Sequence, residues 1–364
     1  MLDINSILAT SIKTGASDLH INVGMQPIVR KNTQLLELEA FPVVTNEDAK
    51  EMVISMVGPE KFKKFEEKRD LDFSTTVEGG YRFRVNAHYQ RDTIALSFRT
   101  IPNVVPDVDS LNLPPIVKEL TDLPRGLVLV TGHTGSGKST TLASLIGVIN
   151  KKYRKRIVTL EVPVEYALEN RNCMIEQREI GSDCPEFASG LRHVLRQDPD
   201  IIMVGEMRDL ETTSSTITAA ETGHLVFSTL HTINAPQTIE RIIDIYPANQ
   251  QNQIRTMLAN TLQAVVSQTL FSRVDEPGMV PCTEILLCTS AVRNCIRENR
   301  IYEIPNIIET SRRLGMQNMD HSIADNYFKG YIDREEAVVR SSNPGKMEKL
   351  LKPTEKYEVL KSAK

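Results

Sequence analysis

The sequence implies an α/β protein in two domains, the second built on parallel strands that carry a phosphate-binding loop, and three observations lead there. A chain of 364 residues is too long for one ordinary core, because single cores stop growing near roughly 250–300 residues. From about residue 113, short apolar runs alternate with helical segments, the rhythm of parallel strands joined by right-handed crossovers. Between one such strand and the next helix, "LVLVTGHTGSGKSTTLA" sets glycines, a lysine and hydroxyls where a phosphate would be held.

The elements follow in order. Ile4, Ile7, Leu8 and Ile12 recur at helical spacing, and Gly15 ends that helix. "SDLHINVG" alternates, with Leu19, Ile21 and Val23 on one face, as a half-buried strand does. A second helix covers about residues 46–56, and "EKFKKFEEKRD" continues as a charged surface helix with Phe62 and Phe65 facing inward. "YRFRVNAHYQRDTIALSFRTIP" reads as a two-stranded hairpin turning around Gln90 to Asp92, dense in arginine at Arg82, Arg84, Arg91 and Arg99. "IPNVVPDVDSLNLPP" has little periodicity and several prolines, the composition of a linker. The expected domains are therefore residues 1–100, a linker at 101–112, and residues 113–364. In the last of these, "GLVLVTG", "RIVTLEVP", "DIIMVGE" and "HLVFSTLH" are short apolar strands, and "KSTTLASLIGVINKK" is a helix. The tail after about residue 315 is helical and increasingly rich in lysine.

Composition narrows the class. Hydrophobic content of 40% and charged content of 25% are those of a soluble globular protein. A net charge of −4 argues against a general nucleic-acid binder. No run approaches the roughly 20 apolar residues of a membrane span, and the amino terminus lacks the pattern of a signal peptide. A cytoplasmic location is expected, with a membrane reached only through a partner. Cys173, Cys184, Cys282, Cys288 and Cys295 form no CxxC pair. They read as reduced thiols, and the last three lack the short spacing of a metal chelate.

The chemistry concentrates in a few stretches. Residues 132–139 fit G-x-x-x-x-G-K-[ST] without a mismatch, strand before and helix after. Thr134, Gly135, Ser136, Gly137, Lys138, Ser139 and Thr140 are the expected nucleotide-binding residues. Successive backbone N–H groups there curl around a phosphate, the helix end adds positive potential, Lys138 reaches the β/γ-phosphates and Ser139 can bind Mg²⁺. "DPDIIMVGEMRD" delivers Glu206 at a strand end, placed to hold the Mg²⁺ shell or orient water, beside the loop-bearing strand if the domain is RecA-like. "TLEVPVEY" offers Glu161 and Glu165, of which Glu161 is the better placed to polarise a water. His224 and His231 bracket one strand, and His231, at its carboxyl end, is the candidate sensor of phosphate state. The hairpin arginines are candidates to reach a neighbouring subunit's nucleotide.

These stretches together resemble one family. "GHTGSGKSTT", "TLEVPVE", "RQDPDIIMVGEMRD" and "TAAETGHLVFSTLHT" are similar to the type II/IV secretion ATPase superfamily, and within it to the type IV pilus retraction ATPases. The similarity runs almost end to end, from "GASDLHINVG" to "GMQNMDHSIADNYFKGYI". It implies a PAS-like first domain, a RecA-like ATPase domain, and a homohexameric ring with nucleotide bound between domains and completed by neighbours. By position, Glu161 matches the acidic-box glutamate that acts on water, and Glu206 the Walker B glutamate. His224 and His231 match the His box, and Arg84 and Arg99 the arginines that approach the γ-phosphate. "NCIREN", residues 294–299, matches a motif tied to retraction rather than to hydrolysis. There are three departures. Val162 replaces the acidic-box aspartate, His133 replaces a loop proline, and Cys295 and Asn299 replace alanine and glycine in the carboxy-terminal motif.

The resemblance implies a motor that hydrolyses ATP with Mg²⁺ and extracts pilin, acting on an inner-membrane pilus platform protein and alongside paralogous pilus ATPases. Two alternatives stand beside it. A weakly hydrolysing ring subunit that modulates another motor is suggested by Val162. A pilus-assembly or type II secretion ATPase is disfavoured because those relatives are longer and carry two CxxC pairs. A nucleic-acid translocase lacks the basic and aromatic patches it would need.

Overall fold

The computed structural model describes residues 2–31, 34–77, 79–102 and 104–352. The chain forms two compact units. One comprises Met1–Val105 together with Pro163–Ala167, the other Pro106–Val162 with Leu168–Lys364. The last twelve residues, where the lysine-rich tail ends, lie outside the described residues.

In the first unit, α1 (Ile4–Thr14) is capped by the Asp3 carboxylate, which accepts from the N–H groups of Asn5 and Ser6. It stops at Gly15, whose φ of 72° suits the left-handed cap. Strands β1 (Asp18–Asn22), β2 (Ile28–Lys31) and β3 (Gln34–Glu37) follow. Helix α2 (Asn46–Lys68) opens on a Thr45–Asp48 capping box and breaks its helical geometry at Gly58, ahead of Pro59. Then come β4 (Asp70–Thr76), β5 (Arg82–Gln90) and β6 (Thr93–Ile101). Arg91 and Asp92, with φ of 46° and 60°, make the two-residue turn of the β5–β6 hairpin. The six strands are ordered β3-β2-β1-β6-β5-β4, and every pair is antiparallel. Alternation gives the sheet two faces. Leu19, Ile21, Val29, Phe83, Val85, Leu96 and Phe98 pack with Ile7, Leu8, Met52, Phe62 and Phe65 of the two helices. The opposite register carries Asp18, Arg30, Arg84 and Arg99.

The second unit begins with a 3₁₀ turn at Val108–Leu111 and the short helix α3 (Pro115–Glu119). Alternation follows with β7 (Gly126–Thr131), α4 (Lys138–Lys152), β8 (Arg156–Glu161), β9 (Met174–Glu179), α5 (Phe187–Val194), β10 (Ile201–Val204), α6 (Leu210–Glu221), β11 (Leu225–Leu230), α7 (Ala235–Asp244) and α8 (Gln251–Thr261). A long hairpin, β12 (Leu262–Ser272) and β13 (Met279–Leu287), precedes α9 (Ser290–Arg297), α10 (Ile304–Thr310), α11 (Met319–Phe328), α12 (Arg334–Val339) and α13 (Pro344–Leu350). The sheet order is β13-β12-β7-β11-β10-β8-β9, parallel throughout except β13. Successive residues of β7 serve opposite layers. Val128 and Val130 face α3 and α4, while Leu127 and Leu129 join the core made with α5 to α10. Helices α11 to α13 form a separate cluster around Phe271, Val280 and Cys282 of the hairpin.

One expectation is corrected by this order. β10, which leads to Glu206, does not lie beside the loop-bearing β7, because β11 pairs with both and sits between them. All five cysteines are buried free thiols, and burial pushes Cys282 and Cys288 up to about 12. Among the described residues no helix is long and apolar enough to cross a membrane.

Candidate nucleotide site

Parallel strands place their loops at one sheet edge, and four neighbouring strands end there in register. Thr131 of β7 pairs with Leu230 of β11, while Val204 of β10 pairs with Ser228 of β11 and with Leu160 of β8. The residues that follow are Gly132 of the phosphate loop, His231, Glu206 and Glu161. With strands about 4.8 Å apart, the loop and the Glu206 strand are separated by roughly 10 Å along this edge.

The loop has the shape of an anion cradle. A Cβ on Gly132 would stand 2.3 Å from the Gln268 carbonyl and 2.5 Å from Ser136 Oγ. On Gly137 it would stand 2.7 Å from Gln268 Nε2, at a φ of 85° that side chains avoid. Gly137 is also the N-cap of the fifteen-residue α4, so no side-chain cap occupies the helix N-terminus, the end whose potential favours an anion. Ser136 Oγ is buried without a hydrogen-bond partner. Lys138 is buried and turns its ammonium onto the loop, donating to the carbonyls of Gly132 at 2.8 Å and His133 at 2.9 Å. Thr134 and Gly135 are exposed at the loop's crest, and Ser139 and Thr140 are half-buried in the first turn of α4.

The acidic strand ends differ in setting. Glu161 is only 7% exposed. Its Oε1 accepts from the Thr159 hydroxyl at 2.6 Å and from Gln177 Nε2 at 3.0 Å. Glu206 is more open, and its Oε2 meets Arg208 Nε at 2.8 Å and His231 Nε2 at 3.4 Å. The Ser139 hydroxyl and the Glu206 carboxylate are hard oxygen donors of the kind Mg²⁺ takes. Glu165 is exposed and falls in the segment counted with the first unit. The two histidines differ in setting. His224 hydrogen-bonds the Ala219 carbonyl at 2.9 Å near the end of α6, whereas His231 is exposed beside Glu206.

In the first unit, Arg84 and Arg99 are cross-strand partners on β5 and β6, both exposed. Arg99, with its side chain 75% exposed, donates through Nε to Asp18 at 2.9 Å. Partial burial pushes the Asp18 carboxyl up, but the Ser17 hydroxyl and Arg99 outweigh it and hold it below the usual carboxylate range. Arg82 donates to Ser74 Oγ at 2.8 Å instead, and Arg91 lies in the hairpin turn.

Several supporting residues escaped the sequence reading. Arg208 stands two positions after Glu206, a spacing that was readable. Gln177 lies on β9, a half-exposed edge strand whose "MIEQRE" shows no apolar pattern. Asp209 closes the same acidic stretch by capping α6, accepting from the Thr212 N–H at 2.8 Å. Glu284 of β13 accepts from the Ala235 N–H at 2.8 Å and so pins the segment that follows His231. Burial pushes the Glu284 carboxyl up, against the Ala235 N–H, with Asp320 adding to the rise.

The family model of type II/IV secretion system proteins matches residues 2–339. The chain is 43% identical to the type IV pilus retraction ATPase PilT of Pseudomonas aeruginosa, over 94% of this chain and 99% of that one. It is 41% identical to a twitching motility protein of Neisseria gonorrhoeae, over 94% and 92% of the two chains. Among solved structures, the pilus retraction motor PilT with bound ADP superimposes with a TM-score of 0.89 at 42% identity, covering 96% of this chain and all of that one.

Proposed function

The chain belongs to the type II/IV secretion system protein family, and from that premise we propose that it is an ATP-hydrolysing motor of type IV pilus retraction, working as a homohexameric ring. The observation that carries the reading is the row of four strand ends, which gathers a phosphate loop, two carboxylates and a histidine at one edge of a parallel sheet. Identity of 43% with a retraction ATPase over 94% of the chain supports that task.

In this reading the N–H groups of residues 134–140 receive the phosphates of ATP. Lys138 exchanges the carbonyls of Gly132 and His133 for phosphate oxygens, so its charge is used when the loop fills. Ser139 and Glu206 would hold Mg²⁺, which supplies neutralisation of phosphate charge when bound. Glu161, oriented by Thr159 and Gln177, positions and polarises the attacking water. His231 contacts Glu206 and responds when that carboxylate is drawn away. Arg84 and Arg99 act on the γ-phosphate of a neighbouring subunit, with Asp18 as the resting partner of Arg99. Such a shared site gives ATP different contacts in open and closed arrangements, the requirement for turning hydrolysis into motion.

The ring is cytoplasmic in this reading and meets the membrane through a pilus platform protein, with paralogous pilus ATPases as further partners and no nucleic acid. Two measurements test it together. Purified Glu206→Ala protein should bind ATP yet fail to hydrolyse it, and cells lacking the protein should extend pili without retracting them. Normal retraction in those cells would remove the proposed task, and normal hydrolysis by Glu206→Ala would remove the proposed site.

A further inference from the structure

Gln268 is a buried polar side chain that neither the phosphate-loop motif nor the acidic strand ends account for. β12 runs parallel to β7 up to the pairing of Ser267 with Thr131, whose hydroxyl donates to Ser267 Oγ at 2.9 Å. There β7 ends and the phosphate loop begins. β12 continues, held on its other side by β13, and its next residue is Gln268, 3% exposed. Its Nε2 donates to the Ser136 carbonyl inside the loop at 2.7 Å, and its Oε1 accepts from the Thr141 hydroxyl in the first turn of α4 at 2.9 Å. Its backbone and amide are also what a Cβ at Gly132 or Gly137 would strike. One residue thus braces the loop at its start, its middle and its exit into the helix.

A buried primary amide is costly unless its donors and acceptor find partners, and an apolar residue would fill the same space more cheaply. Here both partners belong to the phosphate loop and its helix. The bracing strand is itself anchored. Gln268 pairs with Thr283 of β13, whose N–H donates to Ser322 Oγ at 2.9 Å and whose carbonyl accepts from Gln317 Nε2 at 3.1 Å.

We propose that Gln268 is a positioning residue for the nucleotide, holding the Ser136 carbonyl and the first turn of α4 in the shape that converges backbone N–H groups on a phosphate. The inference rests on reading residues 134–140 as the nucleotide loop. Gln268 acts through preorganisation, since a loop already in its binding shape loses less freedom when the anion arrives.

The test uses the full chain as wild type, Gln268→Met and Thr141→Val, with three readouts. These are affinity for a fluorescent ADP analogue, the thermal midpoint without nucleotide, and KM and kcat for ATP. Gln268→Met removes both hydrogen bonds without adding charge, and should weaken analogue binding and raise KM by about tenfold, with a smaller change in kcat. Thr141→Val removes one of the two bonds and should weaken binding about threefold. A lowered thermal midpoint with analogue affinity and KM within about twofold of wild type would mean a structural role alone, and would overturn the proposal. If Gln268→Met fails to fold, Thr141→Val decides by the same criterion. Failure of the underlying reading has a different signature: the wild type itself would not bind the analogue, and both inferences would fall.

Discussion

Gly205 is a close approach between the two acidic strand ends, and Gly205→Ala tests whether their spacing matters. Its N–H donates to the Leu160 carbonyl at 2.7 Å. A Cβ built on it would stand 3.1 Å from that same oxygen and 3.4 Å from Glu161 Cα. Both obstacles are backbone of β8, so no side chain can swing aside. Its φ is not in the left-handed region, which leaves the steric push as the whole perturbation. The strands must part by a few tenths of an ångström. Overpacking of this kind costs about 1–2 kcal/mol, a fall of a few degrees in thermal midpoint. A misplacement of about 1 Å can cost about 10²-fold in rate, so a few tenths should cost about three- to fivefold in kcat. In the proposed reading nucleotide affinity is set by the loop after β7, two strands away, and should stay within about twofold. Phosphate-release kinetics alongside titration with a fluorescent ADP analogue read both quantities. Unchanged kcat in a folded variant, or affinity falling as far as kcat, would refute the claim that Gly205 sets the spacing of Glu161 and Glu206.

Other outcomes follow from the same geometry. Lys138→Ala should reduce ATP turnover at least about 10²-fold, since it removes the loop's own cation; near-normal phosphate release would dismiss the loop as the site. Rings mixed from Arg99→Ala and Lys138→Ala subunits should regain part of the activity that each lacks alone, because some interfaces then pair an intact loop with an intact arginine; activity no higher than either parent would argue against a shared site. Glu284→Gln should raise the thermal midpoint at pH 8 relative to wild type, with the difference gone by pH 4. A carboxyl whose folded pKa lies above its unfolded value loses stability as pH rises past the unfolded value, and glutamine keeps the neutral form throughout. Thermal melts across that range check the sign, and a lower midpoint for the variant at pH 8 would reverse it.

How far the site was readable from sequence depended on whether a feature is local. Helix α4 from Lys138 to Lys152 and the Arg91–Asp92 turn are written in consecutive residues, and the structure has them where the pattern put them. The order of the parallel strands is not local. Nothing in "HLVFSTLH" or "DIIMVGE" says which run lies against β7, and the structure inserts β11 there. β3 and β9 were invisible for another reason: edge strands bury little, and all four residues of β3 are exposed. β12 was obscured by Ser267 and Gln268, polar residues buried in mid-strand because they face the end of β7 and the phosphate loop. The inclusion of Pro163–Ala167 in the first unit depends on chain distant in sequence, which no local pattern reports.

Val162 stands where the resemblance implies an aspartate, and its setting bears on the alternative of weak turnover. Glu161 is held through Thr159 and Gln177, both in the second unit, and by alternation along β8 Thr159 and Glu161 share a face. Val162 follows the strand's last residue and is 49% exposed. It is also the final residue of the second unit before the chain passes to Pro163–Ala167, counted with the first. Valine here therefore takes neither of these two donors from Glu161 and leaves its burial intact. An aspartate at 162 would stand beyond the strand's last residue, where the chain passes from residues counted with one unit to residues counted with the other.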